Sequence, residues 1–236
     1  EELSLSADKV RIVYADTDTA PFDAPTHASR ATYSAGLATK AAAVETKKRL
    51  FKAAAAVMEA NADDLVLEDG KVMVKGVPES AVPMTDIIAR AESPFIQVGE
   101  QGPAPTTIAE KGTIIGTASQ APPSNPSPVG AQFIEVEVDT DTGEIEVLRV
   151  VYSADVGQVI HPNSAEGQVE GGFQQGMGYA LMENLQFDQE TGACLSADFL
   201  DYKIPTAMEM PSNIESIFID SHEPTGPYGG KSMSEM

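Results

Sequence analysis

The spacing of hydrophobic positions predicts two main helices in this chain. Between residues 36 and 61 a stripe of apolar residues recurs every seven positions, as on one face of a helix. Its members are Leu37, Val44, Phe51 and Met58. A second helix is predicted to follow Pro162 and to run to about Leu181, because Asn163 is a good helix cap and proline is common near a helix start.

Alternating hydrophobic and polar residues predict strands in residues 9–15, 65–74 and 132–152. The second and third of these regions are predicted to be antiparallel hairpins, because Asp69-Gly70 and Asp141-Thr-Gly143 supply tight turns. A short helix is predicted to begin at Thr85 with that residue as its N-cap. Together the pattern indicates an α+β fold with mostly antiparallel strands.

The chain also shows a predicted division into two parts. Residues 101–130 are rich in Gly, Pro, Ser and Thr, and the stretch beginning at Ala121 is the best linker candidate. We therefore expect a first part over residues 1–120 and a second over residues 129–236.

The predicted second helix carries an unusual number of glycines: Gly167, Gly171, Gly172, Gly176 and Gly178. Each costs a helix about 1 kcal/mol relative to alanine. Close packing of the helix backbone against another element or a ligand is the usual reason for such glycines.

Charge and composition exclude several classes of protein. With 15 Lys and Arg against 36 Asp and Glu, the net charge is −21, which disfavours binding to nucleic acid or an anionic membrane. No apolar run is long enough for a membrane span. The single cysteine, Cys194, excludes an internal disulfide or an iron–sulfur cluster held by this chain alone, and favours a cytoplasmic location. Both ends look cut, so we expect a piece of a larger protein.

Familiar motifs for nucleotides and metals are absent or incomplete. The Gly-Pro-Tyr-Gly-Gly-Lys-Ser stretch from Gly226 is one residue too short for a phosphate loop, and no Gly-x-Gly-x-x-Gly motif occurs. The three histidines are far apart, so no protein-ligated metal site is predicted. Ser29 and Thr32 at a helix start could bind an anionic group or simply cap the helix, and Glu235 could be an ordinary solvated carboxylate.

Several ordered motifs resemble one family, the molybdopterin-binding subunit of xanthine dehydrogenase and aldehyde oxidoreductase enzymes. They are Asp16-Thr-Asp, Pro25-Thr-His-Ala-Ser-Arg-Ala-Thr-Tyr-Ser-Ala-Gly, Tyr152-Ser-Ala-Asp-Val-Gly-Gln-Val-Ile-His-Pro, Gly167-Gln-Val-Glu-Gly-Gly-Phe-Gln-Gln-Gly-Met-Gly-Tyr, Asp201-Tyr-Lys-Ile-Pro-Thr and Gly226-Pro-Tyr-Gly-Gly-Lys-Ser-Met-Ser-Glu. These motifs occur in the same order and at consistent spacing in the family, and the resemblance covers nearly the whole chain. The resemblance implies the C-terminal part of a molybdenum-binding subunit, truncated on its N-terminal side and ending at the catalytic base.

The resemblance also assigns roles to individual residues. A loop and helix start would contact the cofactor through Ala28, Ser29, Arg30, Ala31 and Thr32. Gln168 would be a further cofactor contact, and Glu235 would be the catalytic base. The implied reaction is oxidation of an aldehyde or N-heterocycle with oxygen derived from water.

The resemblance further implies cofactors and partners. The cofactor would be molybdenum bound to molybdopterin, either as the pterin or as its cytosine dinucleotide. Iron–sulfur and FAD groups are expected on other domains or subunits, together with the rest of the molybdenum-binding subunit, a small-molecule substrate and an oligomeric full enzyme. The isolated chain would be inactive because many cofactor contacts lie elsewhere.

One departure from the family keeps an alternative open. The family usually has glycines before the base, where this chain has Ser232-Met-Ser-Glu235. The alternative is a non-catalytic structural or assembly module of a molybdoenzyme complex.

Overall fold

The computed structural model describes residues 1–14, 16–18, 20, 26–92 and 114–233. The chain divides into two compact units. The first unit contains residues 1–24 and 34–121, and the second contains residues 25–33 and 122–236. Residues 25–33, although early in the sequence, therefore belong to the same unit as the C-terminal half.

The first unit combines helices with a three-stranded antiparallel sheet. Its helices are most of α1 (Ala31–Met58) and α2 (Met84–Glu92). The strands β1 (Leu65–Glu68), β2 (Lys71–Val74) and β3 (Val77–Pro83) are paired in sequence order. Short 3-10 turns occupy Ala7–Lys9 and Ala62–Asp64.

The core of the first unit forms where α1 and α2 pack on this sheet. Its most buried side chains are Leu50, Ala54, Leu65, Leu67, Val72 and Ile87. Of the stripe predicted on α1, Leu37 is buried, and Phe51 and Met58 are partly buried against this core, whose fully buried α1 residues are Leu50 and Ala54. The predicted hairpin around Asp69-Gly70 is confirmed, with both residues at positive φ as a tight turn between twisted strands requires.

Two predictions in this unit are wrong. Residues 10–14 form no strand and are exposed, because alternation buries one face only when a neighbouring strand pairs with it, and β1 to β3 pair among themselves. Ala15 lies outside the described residues. Thr85 is inside α2 and is not its N-cap, since the chain passes from β3 at Pro83 directly into helix at Met84.

The second unit is a three-stranded sheet covered by one helix. The strands β4 (Val129–Val138) and β5 (Ile145–Asp155) form the predicted antiparallel hairpin, and β6 (Ile214–Phe218) adds in parallel on the other side of β5. The helix α3 (Pro162–Leu181) lies on the sheet. A 3-10 turn occupies Pro227–Gly229. Antiparallel and parallel pairs together confirm the α+β class.

The core of the second unit forms where one face of β5 packs against one face of α3. Alternate residues of β5 are buried, namely Val150, Tyr152 and Ala154. They belong to the same clusters as Val169, Phe173 and Met177, which are four residues apart and therefore share one face of α3. Burial also raises the pKa of Tyr152.

Among the glycines of α3, the predicted close packing against another element is found at Gly178. A Cβ built at Gly167, Gly171 or Gly176 would meet no described atom within 4 Å, since these residues face away from the sheet. Only at Gly178, among these four, is the approach close: a Cβ there would lie 2.8 Å from Cδ of Pro205 and closer still to Oε1 of Glu183. Within the described residues, close packing is therefore found at Gly178 and not at Gly167, Gly171 or Gly176.

Within the described ranges, no helix combines the length and the hydrophobicity needed to cross a bilayer.

The glycine result predicts opposite effects for two alanine substitutions. Gly171→Ala should raise the free energy of unfolding by about 0.5–1 kcal/mol, because alanine favours helix and space is available. Gly178→Ala should lower it by about 1–3 kcal/mol, because the added methyl group overpacks against Pro205. Urea denaturation of both variants checks this, and shifts in the same direction would contradict the packing described here.

Candidate functional site

Three segments of the second unit meet at one cavity of about 330 Å³. The first consists of the loop before α1 and the first helical residues, within residues 26–32. The second begins after β5 and continues into α3, within residues 156–168. The third is close to the C-terminus and contributes Lys231 and Met233. The volume is within the usual range for a small-molecule site, roughly 300–1,000 Å³.

The loop before α1 has a strained backbone. Ala28 and Ser29 both have positive φ, 53° and 44°, which costs a residue with a side chain roughly 1–2 kcal/mol. Such strain is concentrated at functional sites, where surrounding contacts maintain it. One such contact is at Ser29, whose carbonyl oxygen accepts a hydrogen bond from the Met233 N–H at 3.2 Å.

The cavity lies at the N-terminal ends of two helices. Ala31 and Thr32, in the first turn of α1, line it, as do Ser164 and Ala165 of α3. The first N–H groups of a helix have no partner within the helix and carry partial positive charge. In α3 the Ser164 and Ala165 N–H groups donate to His161, so it is the first turn of α1 whose N–H groups suit a ligand rich in oxygen atoms or negative charge.

The N-cap of α3 is His161, not the predicted Asn163. The His161 Nδ1 accepts a hydrogen bond from the Ser164 N–H at 3.1 Å. Because Nδ1 is the acceptor, the ring proton is on Nε2. Asn163 is instead already within the helix, which begins at Pro162.

The third wall of the cavity belongs to a segment that we call the arm, residues 229–233. Its backbone is attached to the turn after β5 by two hydrogen bonds. The Gln158 N–H donates to the Gly229 carbonyl at 2.7 Å, and the Lys231 N–H donates to the Val156 carbonyl at 2.8 Å. Gly157, with φ of 71°, lies between them, and a Cβ there would collide with the Gly229 carbonyl oxygen. Glycine is required at 157 for both reasons.

A carboxylate at the end of β5 joins the arm to its surroundings. Asp155 accepts hydrogen bonds from the Ser221 hydroxyl at 2.5 Å, the Lys231 Nζ at 2.9 Å and the Gly157 N–H at 3.1 Å. The Ser221 hydroxyl, then Lys231 and the Gly157 amide, lower the pKa of Asp155 from 3.8 to about 2. Asp155 is therefore ionised at neutral pH.

Four of the residues that the resemblance assigns to cofactor binding lie together in the structure. Ser29, Ala31, Thr32 and Gln168 line the same cavity. Ala28 is in the strained loop but does not line the cavity.

Two other assigned residues are not placed at the cavity. The Arg30 Nη1 donates to Asn125 Oδ1 at 3.2 Å, and Arg30 is not in the cavity lining. Glu235 lies outside the described residues. Met233, two positions before it in sequence, lines the cavity.

Residue-by-residue reasoning missed several lining residues, including Gln158, His161, Ser164 and Lys231. All four lie in or close to stretches that carry the family resemblance, which was the available signal.

Comparison with known proteins identifies the family. Residues 1–211 match the family model of the molybdopterin cofactor-binding domain. The chain belongs to this family.

Relatives of known name agree with the assignment. The chain is 31% identical over its full length to the xanthine dehydrogenase molybdenum-binding subunit of Escherichia coli O157:H7. It is 32% identical over 99% of its length to the carbon monoxide dehydrogenase large chain of Afipia carboxidovorans. The chain spans 30% and 27% of these two relatives, respectively.

Solved structures share the fold. The crystal structure of Cu,Mo-CO dehydrogenase covers 93% of this chain with 31% identity and a TM-score of 0.75, and the chain covers 26% of it. Quinoline 2-oxidoreductase from Pseudomonas putida 86 covers 82% with 28% identity and a TM-score of 0.66, and the chain covers 23% of it.

The donor set of the cavity fits a molybdopterin cofactor. Hydroxyls of Ser29 and Thr32, the amide of Gln168 and N–H groups in the first turn of α1 can donate to the many oxygen and nitrogen atoms of a pterin and its phosphate. These are the groups of this chain that would hold it.

The low pKa of Asp155 predicts an acid-dependent loss of stability. Its contribution is present above pH 3.8, the ordinary pKa, and is lost as the pH falls through about 2. The shift corresponds to on the order of 2 kcal/mol. Urea denaturation at pH 5 to 2 should show this loss in the native protein and a smaller one in Asp155→Asn. Equal pH dependence in both would contradict the role of this carboxylate.

Proposed function

We propose that this chain holds the molybdopterin cofactor, and supplies the catalytic base, of a molybdenum hydroxylase. The enzyme would oxidise an aldehyde or an N-heterocycle with oxygen derived from water. The observation that carries the proposal is the cavity itself, since three segments far apart in sequence meet there and four of the assigned residues line it.

The proposed binding roles follow from the chemistry of each segment. The loop and helix start at residues 28–32 hold the pterin end through backbone N–H groups and the hydroxyls of Ser29 and Thr32. Gln168 donates from its amide on α3. Ala28, Arg30 and Ala31 contribute through the backbone or by fixing the loop, which for Arg30 is supported by its bond to Asn125. When bound, the cofactor supplies the two-electron redox chemistry, and the protein orients it.

Glu235 is the proposed base. Its carboxylate takes up the proton released as oxygen is transferred to substrate, so it must be ionised before reaction. The family motif supports this assignment. So does the attachment of the arm, because Met233, two positions earlier, donates to the Ser29 carbonyl in the loop proposed to hold the pterin.

The names of relatives bear on substrate and partners. Relatives named for xanthine, quinoline and nicotine support an N-heterocycle as the substrate class. One relative is a gamma subunit of a dehydrogenase complex and others are large chains, which supports an assembly with further subunits. We propose that iron–sulfur and FAD groups lie on those other parts and that the full enzyme is an oligomer in the cytoplasm. The isolated chain, at about 30% of the relatives' length, would be inactive.

The second candidate is a non-catalytic module that keeps the fold and assists assembly. It is favoured by Ser232 and Ser234, which stand where the family usually has glycines. Serine side chains at these positions add bulk next to the proposed base.

Glu235→Gln in the full enzyme distinguishes the two candidates. The variant should lose kcat by roughly 10²–10⁴-fold, because an amide cannot accept the proton, while its molybdenum and pterin content stays unchanged. Glu190→Gln, a change at an exposed glutamate in the same unit, serves as the control and should leave kcat unchanged. Full activity of Glu235→Gln would refute the catalytic assignment, and a native enzyme lacking molybdenum would favour the assembly module.

A further inference from the structure

We propose that Asp155 is a positioning residue, which fixes Lys231 and with it the arm that forms one wall of the cofactor cavity. The inference rests on the proposed function for its catalytic consequence. Its structural content rests on contacts within the second unit alone. Asp155 does not line the cavity, so it acts through Lys231, which does.

The contact between Asp155 and Lys231 is more shielded from solvent than the Arg149–Glu215 ion pair of the same unit. Its side chains are 28% and 13% exposed, respectively. The pair Arg149–Glu215, at the sheet surface, has both side chains nearly half exposed. Shielding from solvent strengthens an ion pair, whereas exposed pairs contribute little. The pair is therefore suited to fixing a geometry.

Lys231 is held at both ends of the residue. Its backbone N–H donates to the Val156 carbonyl, and its Nζ donates to Asp155, one residue earlier on the same turn. A lysine side chain is flexible, with four rotatable bonds, so one attachment would leave the ammonium group mobile. The second attachment, from Nζ to Asp155, fixes the direction of the Lys231 side chain along the cavity wall.

Asp155 is itself fixed by groups other than lysine. The Ser221 hydroxyl and the Gly157 N–H both donate to its Oδ1, which leaves Oδ2 directed at Lys231. The carboxylate thus joins the end of β5, the segment after β6 and the arm. Loss of its charge should loosen the arm, which keeps its backbone hydrogen bonds, without removing any side chain from the cavity.

The position of the arm matters for the proposed reaction. Met233 lines the cavity and donates to the Ser29 carbonyl, and Glu235 follows two residues later in sequence. Misplacement of a reacting group by about 1 Å can lower a rate by around 10²-fold. Loss of the Asp155–Lys231 contact should therefore lower kcat more than it weakens substrate binding.

The test compares Asp155→Asn with Asp188→Asn in the full enzyme. Asp188 is a matched control, because the hydrogen bonds that it accepts come from its own turn, from Thr191 and Glu190, rather than from a lysine.

Amide hydrogen exchange and steady-state kinetics are measured on both. Asp155→Asn should exchange roughly tenfold faster at the Gln158 and Lys231 amides, with exchange at Val169 in α3 unchanged. Its kcat should fall at least tenfold with KM changed by less than about twofold. Asp188→Asn should match the native enzyme in both measurements. Native exchange at Gln158 and Lys231 in Asp155→Asn, or native kcat, overturns the proposal.

A double-variant cycle separates positioning through Lys231 from a general structural role. In a Lys231→Met background, Asp155→Asn should cause little further loss of kcat, because the contact is already gone. If the two substitutions lower kcat independently, so that their fold-losses multiply in the double variant, the proposal is overturned. The Asp155→Glu variant keeps the carboxylate and should retain more activity than Asp155→Asn, and failure of this rescue also counts against it.

The outcome is distinguishable from failure of the proposed function. If Glu235→Gln is inactive while Asp155→Asn is native, only the positioning role is refuted. If Glu235→Gln is fully active, the proposed base is refuted, and amide exchange still decides whether Asp155 fixes the arm.

Discussion

The second unit depends on the attachment of the arm to the turn that ends β5. Two backbone hydrogen bonds, between Gln158 and Gly229 and between Lys231 and Val156, bring together residues more than 70 positions apart. The arm comes this close to the turn only because residue 157 is glycine and has no side chain. Without this attachment the cavity would have two walls instead of three, and the C-terminal segment would have no fixed relation to α3.

A buried tyrosine also connects segments around the cavity. The Tyr33 hydroxyl, almost fully buried, lies 3.1 Å from Ser124 Oγ and 3.0 Å from Thr225 Oγ1. It therefore connects the start of α1 to the segment before β4 and to the chain just before the arm. These contacts help to maintain the strained backbone at Ala28 and Ser29. In this family such rigidity has a clear use, since the protein must orient a cofactor that performs the redox chemistry.

The sequence predicted the elements whose signals are local. Both hairpins were predicted because Asp-Gly and Asp-Thr-Gly turns separate alternating residues. The helix α1 was predicted from its apolar periodicity and α3 from the start signals at Pro162 and Asn163. No strand forms at residues 9–14, because burial depends on a partner strand that local alternation cannot reveal. The cap at His161 was missed because asparagine is the commoner cap and histidine was weighed only as a metal ligand.

The site was predicted from family motifs rather than from physical pattern. Ser29, Thr32 and Gln168 look unremarkable singly, and only their motifs indicated a common cavity. The Asp155–Lys231 pair spans 76 positions, and no local pattern links an aspartate in a turn to a lysine near the C-terminus. Such contacts follow from the tertiary fold, which places the end of β5 beside the arm.

A crystal structure of the full enzyme with its cofactor would test the central claim most directly. The account predicts cofactor density in the cavity, with pterin or phosphate atoms within about 3.2 Å of donors from residues 28–32 and of the Gln168 amide. Cofactor density elsewhere in the molecule, with this cavity filled by solvent or by protein side chains, would contradict it.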